Sequence, residues 1–130
     1  MWLLRGLQFT CVALQNAQAN ASEELADAFK KSYDGTLKAF HNFVVKGIFS
    51  VGSLSRSGSP AGVHFFVQVA MKACPYRADF FEKLKADPAG GPPASDAHMN
   101  EQLNRWLAAL NGIVIRLQAF YKAGGHDKGF

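Results

Sequence analysis

His41 stands in LKAFHNFVVKGIF, residues 37–49, a single imidazole in a run that is otherwise mostly apolar at helical spacing. A ring in that setting has two chemical uses. It can sit at the edge of a core with its nitrogens bonded to backbone, the commoner arrangement, or it can offer a donor to a polar group entering a dry pocket. Trp2 is open in the same way: it can simply pack near the chain start or present its indole plane to a ligand. Catalytic and metal chemistry find little support. The four histidines are far apart, Cys11 and Cys74 form no CxxC pair, and no P-loop, GxSxG or HExxH is present. No metal, cofactor or catalytic residue is therefore expected, and a small helical enzyme would need turnover dependent on His41. Asp96 and Asn100, one helical turn apart, read as a solvated helix start.

The elements that must position these residues are helices. Leu3, Leu7, Val12 and Leu14, with Phe9 between them, suit a short helix ending near Gln15 to Asn20. Asn20, followed three residues later by Glu23, resembles a capping box for the next helix. Leu25, Phe29, Tyr33, Leu37, Phe40, Val44 and Ile48 then step by three or four, predicting one long helix or two joined by a kink near Gly35 or His41. Val51 to Gln68 breaks the pattern with serines, glycines and Pro60 and reads as a flexible loop. Pro75 closes a further helix, and Ala78 to Lys85 forms another. The Pro/Gly-rich stretch at 88–95 is a linker, after which Ser95 caps a last helix. Its expected inner stripe is Met99, Leu103, Trp106, Leu110, Ile113, Leu117 and Phe120, and Gly124 and Gly125 end it. No strand-type alternation persists and no repeat is found, so the class is all-α with about four or five helices.

Composition agrees with a folded globular domain. The chain has 130 residues, enough for one domain with a real core, and is 48% hydrophobic against 18% charged, unlike a disordered chain. The net charge of +4 is spread along the sequence without a cluster, which gives mild attraction to anionic surfaces and little reason to expect a nucleic acid partner. MWLLRGLQFTCVAL is interrupted by Arg5 and Gln8 and reads as an amphipathic helix rather than a leader, and no apolar run reaches membrane-spanning length. Reduced cysteines and a soluble, cytoplasmic protein are the expectation, with Cys11 and Cys74 acting as small buried hydrophobes.

The order of WLLRGLQF, AFKKSYDGTLKAFHNFVVKGIF, VAMKACPYRADFFEKL and RWLAALNGIVIRLQAFY resembles the C-terminal two thirds or so of the glycolipid transfer protein family. The W-L-x-R-G-L-x-F and F/Y-H-x-aromatic-V-V stretches carry most of the likeness. The resemblance implies a two-layer helical sandwich, here truncated, that takes a sphingolipid from a membrane without an enzyme's chemistry. It further implies that Trp2 is the platform for the first sugar ring and that His41 donates to the ceramide amide carbonyl. By the same resemblance Arg5 lies at the headgroup, Phe9 and Phe49 line the lipid pocket, and Phe43 faces the membrane where the family has a tryptophan. The physical logic is sound on its own terms, since the CH face of a sugar suits an indole plane and a buried amide must have its polar groups satisfied. Family members that carry phosphorylated ceramide have an arginine at the Trp2 position to pair with phosphate. Trp2 thus favours a sugar.

Two departures from the family pattern shape the expectation. The family's Asp, Asn and Lys headgroup residues lie on an early helix for which this sequence has no counterpart before Met1, so residues 1–130 read as a partial domain whose exposed apolar face invites aggregation or pairing. In addition, joining Ser50 to Val69 would give an unbroken family-like helix, which makes 51–68 an insertion, either a genuine surface loop or intron codons read through as protein. The sequence therefore predicts a sphingolipid carrier that binds a glycosphingolipid or another ceramide-based lipid and visits membrane surfaces transiently. A ceramide-phosphate carrier or sensor is one alternative. A helical protein-interaction module without transfer activity is the other.

Overall fold

The computed structural model describes residues 1–40 and 72–126. Four α-helices lie among them: α1, Trp2–Ala19; α2, Leu25–Thr36; α3, Arg77–Lys85; and α4, Asp96–Ala123. No strand occurs among the described residues. None of these helices is long and apolar enough to cross a membrane.

Helix α1 is the shared element, because α2 packs on one side of it and α4 on another. Small residues allow the first contact: Ala13, Ala17 and Ala28 are fully buried, and Ala17 and Ala28 cluster with Leu25. The Ser32 hydroxyl adds a polar tie, donating to the Phe9 carbonyl at 2.6 Å. On the other side Cys11 and Leu14 meet Leu107. Helices α1 and α4 run antiparallel. The N-terminal ammonium of Met1 reaches the Tyr121 hydroxyl at 3.5 Å, whereas the Cys11 thiol, further along α1, donates to the Leu107 carbonyl at 3.8 Å, further back along α4. Phe29 and Phe80 pack against both clusters and bridge them.

Helix α3 is a strut. The Arg77 amide donates to Glu24 Oε2 at 3.0 Å and its guanidinium Nη1 to the Glu23 carbonyl at 3.2 Å, which fixes the start of α3 to the start of α2. At its other end Lys85 forms an ion pair with Asp96 at 2.8 Å, and the Lys85 carbonyl accepts from the Ala94 amide at 2.8 Å. Asp96, the first residue of α4 and 79% exposed, is a solvated helix start that also pairs with α3. Between α3 and α4 the chain turns at Gly90, whose φ of +80° is in the left-handed region that glycine tolerates.

Both ends of α4 follow the sequence's own signals. The Ser95 hydroxyl accepts from the His98 amide at 3.2 Å, satisfying one of the unpaired donors of the first turn. At the far end Gly125, φ +64°, lets the His126 amide reach the Tyr121 carbonyl at 2.9 Å and its own amide reach Lys122 at 3.2 Å, a Schellman closure.

Two expectations change, the cap of α2 and the buried edge of α4, whereas the kink expected near Gly35 is found. Asn20 does not cap α2, which starts after Glu24; instead Asn20 closes α1, and its Oδ1 accepts from the Ser22 amide and hydroxyl in a local turn. A short polar side chain bonds its own neighbours as readily as a helix start. The break in the second helical stripe falls at Leu37, just past Gly35, with helical backbone resuming at 38–40. The buried residues of α4 are Leu107 and Val114, with Leu103 and Leu110 of the expected stripe partly buried against the same core, whereas Trp106, Ile113, Leu117 and Phe120 of that stripe are 52%, 43%, 37% and 65% exposed. The apolar arc of α4 is wider than one neighbour can cover, and α1 takes only its edge. The loop at 51–68 lies outside the described residues.

Two outcomes follow from this packing. Leu107→Ala should cost about 2–5 kcal/mol in urea unfolding, whereas Ile113→Ala should cost under about 1 kcal/mol; equal losses would mean that α4 packs through the other edge. Burial raises the Cys11 thiol above its ordinary value of 9.0. The folded chain therefore holds that proton after the unfolded chain has released it, and stability falls as pH rises past about 9. Cys11→Ala should flatten that alkaline slope, read from urea midpoints at successive pH values.

Candidate functional site

The first turn of α1 holds the best-formed polar site among the described residues. At an i, i+3 spacing, Trp2 and Arg5 project from neighbouring positions on α1, and the Arg5 guanidinium carbon lies over the Trp2 ring at 5.0 Å from its centroid. Phe40, at the edge of the described segment, approaches the same guanidinium at 3.4 Å from its ring centroid. Arg5 is only 8% exposed, so a planar cation is enclosed by two aromatic rings. Burial lowers its pKa, yet a guanidinium starts so high that it keeps its charge at neutral pH. Trp2 itself stays 40% exposed. The result is an indole whose plane is backed by a fixed cation and whose remaining surface faces solvent. Such a surface can stack an apolar ring face, and the cation beneath it favours electron-rich or anionic groups nearby.

Phe9 stands two turns further along α1, about 10 Å away by helical rise. Its ring packs edge-on against Phe29 at a centroid distance of 5.5 Å, in the α1–α2 interface. It is part of an apolar wall and does not join the Trp2 and Arg5 pair. His41, Phe43 and Phe49 lie outside the described residues.

Two features escape the sequence reading. Phe40 was legible as a member of the helical stripe, yet nothing in its spacing marks it as the second wall around Arg5. The other is an open groove of about 720 Å³ between α3 and the first half of α4, with Leu14, Phe80, Leu84, Met99, Leu103 and Trp106 among its walls and His98 and Lys85 at its polar edge. It depends on how α3 is strutted against α4, which no local pattern encodes. No group of three or more potential metal ligands occurs among the described residues.

The family model described as glycolipid transfer protein (GLTP) matches residues 1–56. A glycolipid transfer protein of Aureobasidium melanogenum is 34% identical over 120 residues, covering 92% of this chain and 47% of the relative. Pleckstrin homology domain-containing family A member 8 of Mus musculus is 25% identical over 126 residues, 96% of this chain and 21% of that protein. Among solved structures, the crystal structure of HET-C2, a fungal glycolipid transfer protein, is similar with a TM-score of 0.64 and 40% identity, covering 93% of this chain and 48% of that one. The chain thus spans about half the length of the fungal glycolipid transfer proteins it matches.

Arg5 gives this geometry a direct test. Arg5→Ala should lower stability by about 2 kcal/mol through lost packing and two lost cation–ring contacts, and should make Trp2 emission more accessible to acrylamide in a Trp106→Phe background. Unchanged quenching would show that Trp2 does not rest on the guanidinium.

Proposed function

Because the chain belongs to the glycolipid transfer protein family, we propose that it is part of a non-enzymatic carrier of glycosphingolipids. The observation that carries the reading is the half-exposed Trp2 indole held over buried Arg5. A sugar ring lays its apolar CH face on that indole, and its hydroxyls remain at the solvent edge. His41 donates to the ceramide amide carbonyl, which would otherwise enter an apolar pocket with its hydrogen bond unmade. Phe9 and Phe49 line the path of the hydrocarbon chains, and Phe43 touches the membrane during loading. Transfer needs no cofactor and no bond is made or broken. The carrier works in the cytoplasm and touches membranes only to load and unload. Within this reading residues 1–130 are a partial glycolipid transfer domain, 51–68 are inserted into it and 88–95 link its last two helices.

A phosphorylated ceramide is the second reading, favoured by one observation: Arg5 places a cation directly under the headgroup platform. The two lipids differ in what they ask of the site. A sugar needs the ring plane, whereas a phosphate needs the charge.

The test is binding and transfer of labelled glycosylceramide between vesicles, with ceramide phosphate as competitor. Trp2→Ala and His41→Leu should each lower glycosylceramide transfer about tenfold or more, a loss of roughly 1.4 kcal/mol or above. Transfer that is the same in both variants as in the unsubstituted protein overturns the assignment, and stronger competition by ceramide phosphate moves it to the second reading.

A further inference from the structure

Phe40 reaches the Trp2 and Arg5 site from a distant part of the chain. Its ring centroid lies 3.4 Å from the Arg5 guanidinium carbon, against 5.0 Å for the Trp2 ring, so Phe40 is the nearer of these two aromatic faces. Its place is held locally: the Leu37 amide donates to the Tyr33 carbonyl at 3.1 Å, the Phe40 amide donates to the Leu37 carbonyl at 3.0 Å, and Lys38 pairs with Asp34 at 2.7 Å. Helix α2, just before it, is seated on α1 through Ala17, Leu25 and Ala28 and through the Ser32 hydroxyl on the Phe9 carbonyl. The α1–α2 packing therefore carries the ring to the guanidinium.

What the ring does there follows from how a guanidinium binds an anion. A phosphate is held by the N–H edge of the planar group and takes two parallel bonds when that edge is open. Stacking uses the other geometry, in which the faces meet rings and the plane is fixed. Arg5 has its guanidinium over two rings and is only 8% exposed, so its donors are not presented to a group arriving from solvent. Trp2, at 40% exposure, is presented. We propose that Phe40 is a positioning residue that selects the headgroup: it holds Arg5 as the backing of the indole, withholds the guanidinium edge from a phosphate, and so leaves the Trp2 plane to an uncharged sugar. This selection rests on the carrier reading, within which it favours the glycosylated lipid over the phosphorylated one. Charge beneath the platform and access to that charge are separate properties, and Phe40 controls the second.

Two measurements separate the hold on Arg5 from the lipid it selects. In the full 130-residue chain carrying Trp106→Phe, where Trp2 is the sole tryptophan, quenching of Trp2 by iodide is compared with quenching by neutral acrylamide. Phe40→Ala should raise the iodide-to-acrylamide ratio about twofold or more, because a released guanidinium concentrates the anion at the indole. Adding Arg5→Gln should abolish that rise, and Phe40→Tyr, which keeps the ring, should leave the ratio as it is. In the second measurement ceramide phosphate displaces labelled glycosylceramide presented in vesicles. Phe40→Ala should shift the preference toward ceramide phosphate by about tenfold or more. Phe40→Leu, which keeps apolar volume without an aromatic face, should shift both readouts the same way and serves if the alanine variant does not fold. An unchanged quenching ratio overturns the proposal whatever the lipids do. Equal weakening of both lipids also overturns it, since that is the mark of lost packing alone. A chain that binds neither lipid overturns the carrier reading and the headgroup choice with it, whereas the quenching ratio still reports whether Phe40 restrains Arg5.

Discussion

The structure depends on one helix being small on one side and apolar on another. Ala13 and Ala17 let α2 approach α1 closely, while Cys11 and Leu14 offer α4 a surface to pack on. A bulky residue at Ala17 would push α2 away, and with it Ser32, Phe29 and the α3 strut that hangs on Glu23 and Glu24. Close-packed interiors transmit such a shift because they have no slack to absorb it. The first turn of α1 is the outer end of this same helix, so the orientation of Trp2 and Arg5 is inherited from contacts made two to four turns away.

Arg5 shows how the fold is used. A guanidinium at 8% exposure is costly to desolvate, and two aromatic rings recover part of that cost through their negative faces. The arrangement converts a long, mobile side chain into a rigid backing for the indole. Preorganisation of that kind matters for a carrier, because affinity spent on ordering the platform is lost to the ligand. Phe9, by contrast, serves α1–α2 packing through Phe29 and gains any ligand role only as part of a wall.

A helix of 28 residues with an apolar arc broader than one neighbour leaves part of that arc open, and here the open part is large and aromatic. The well-formed ends of α4, the Ser95 cap and the Gly125 closure, mean that the helix does not depend on covering that arc to hold its shape.

The sequence by itself determined the helical class, the ends of α4, the short α3 and the family likeness, since each rests on local chemistry: period, a serine cap, glycine's left-handed backbone, proline's missing donor. It also singled out Trp2, Arg5 and Phe9. Only the tertiary structure decided which edge of α4 is buried, because Leu107 and Trp106 are equally apolar and the choice depends on where α1 lies. The same holds for Asn20, whose side chain could serve a helix start or a turn, and for Phe40, whose meeting with Arg5 joins residues 35 positions apart. Local pattern sets what a residue can do. Which of those options is taken depends on the partner that the fold brings within reach.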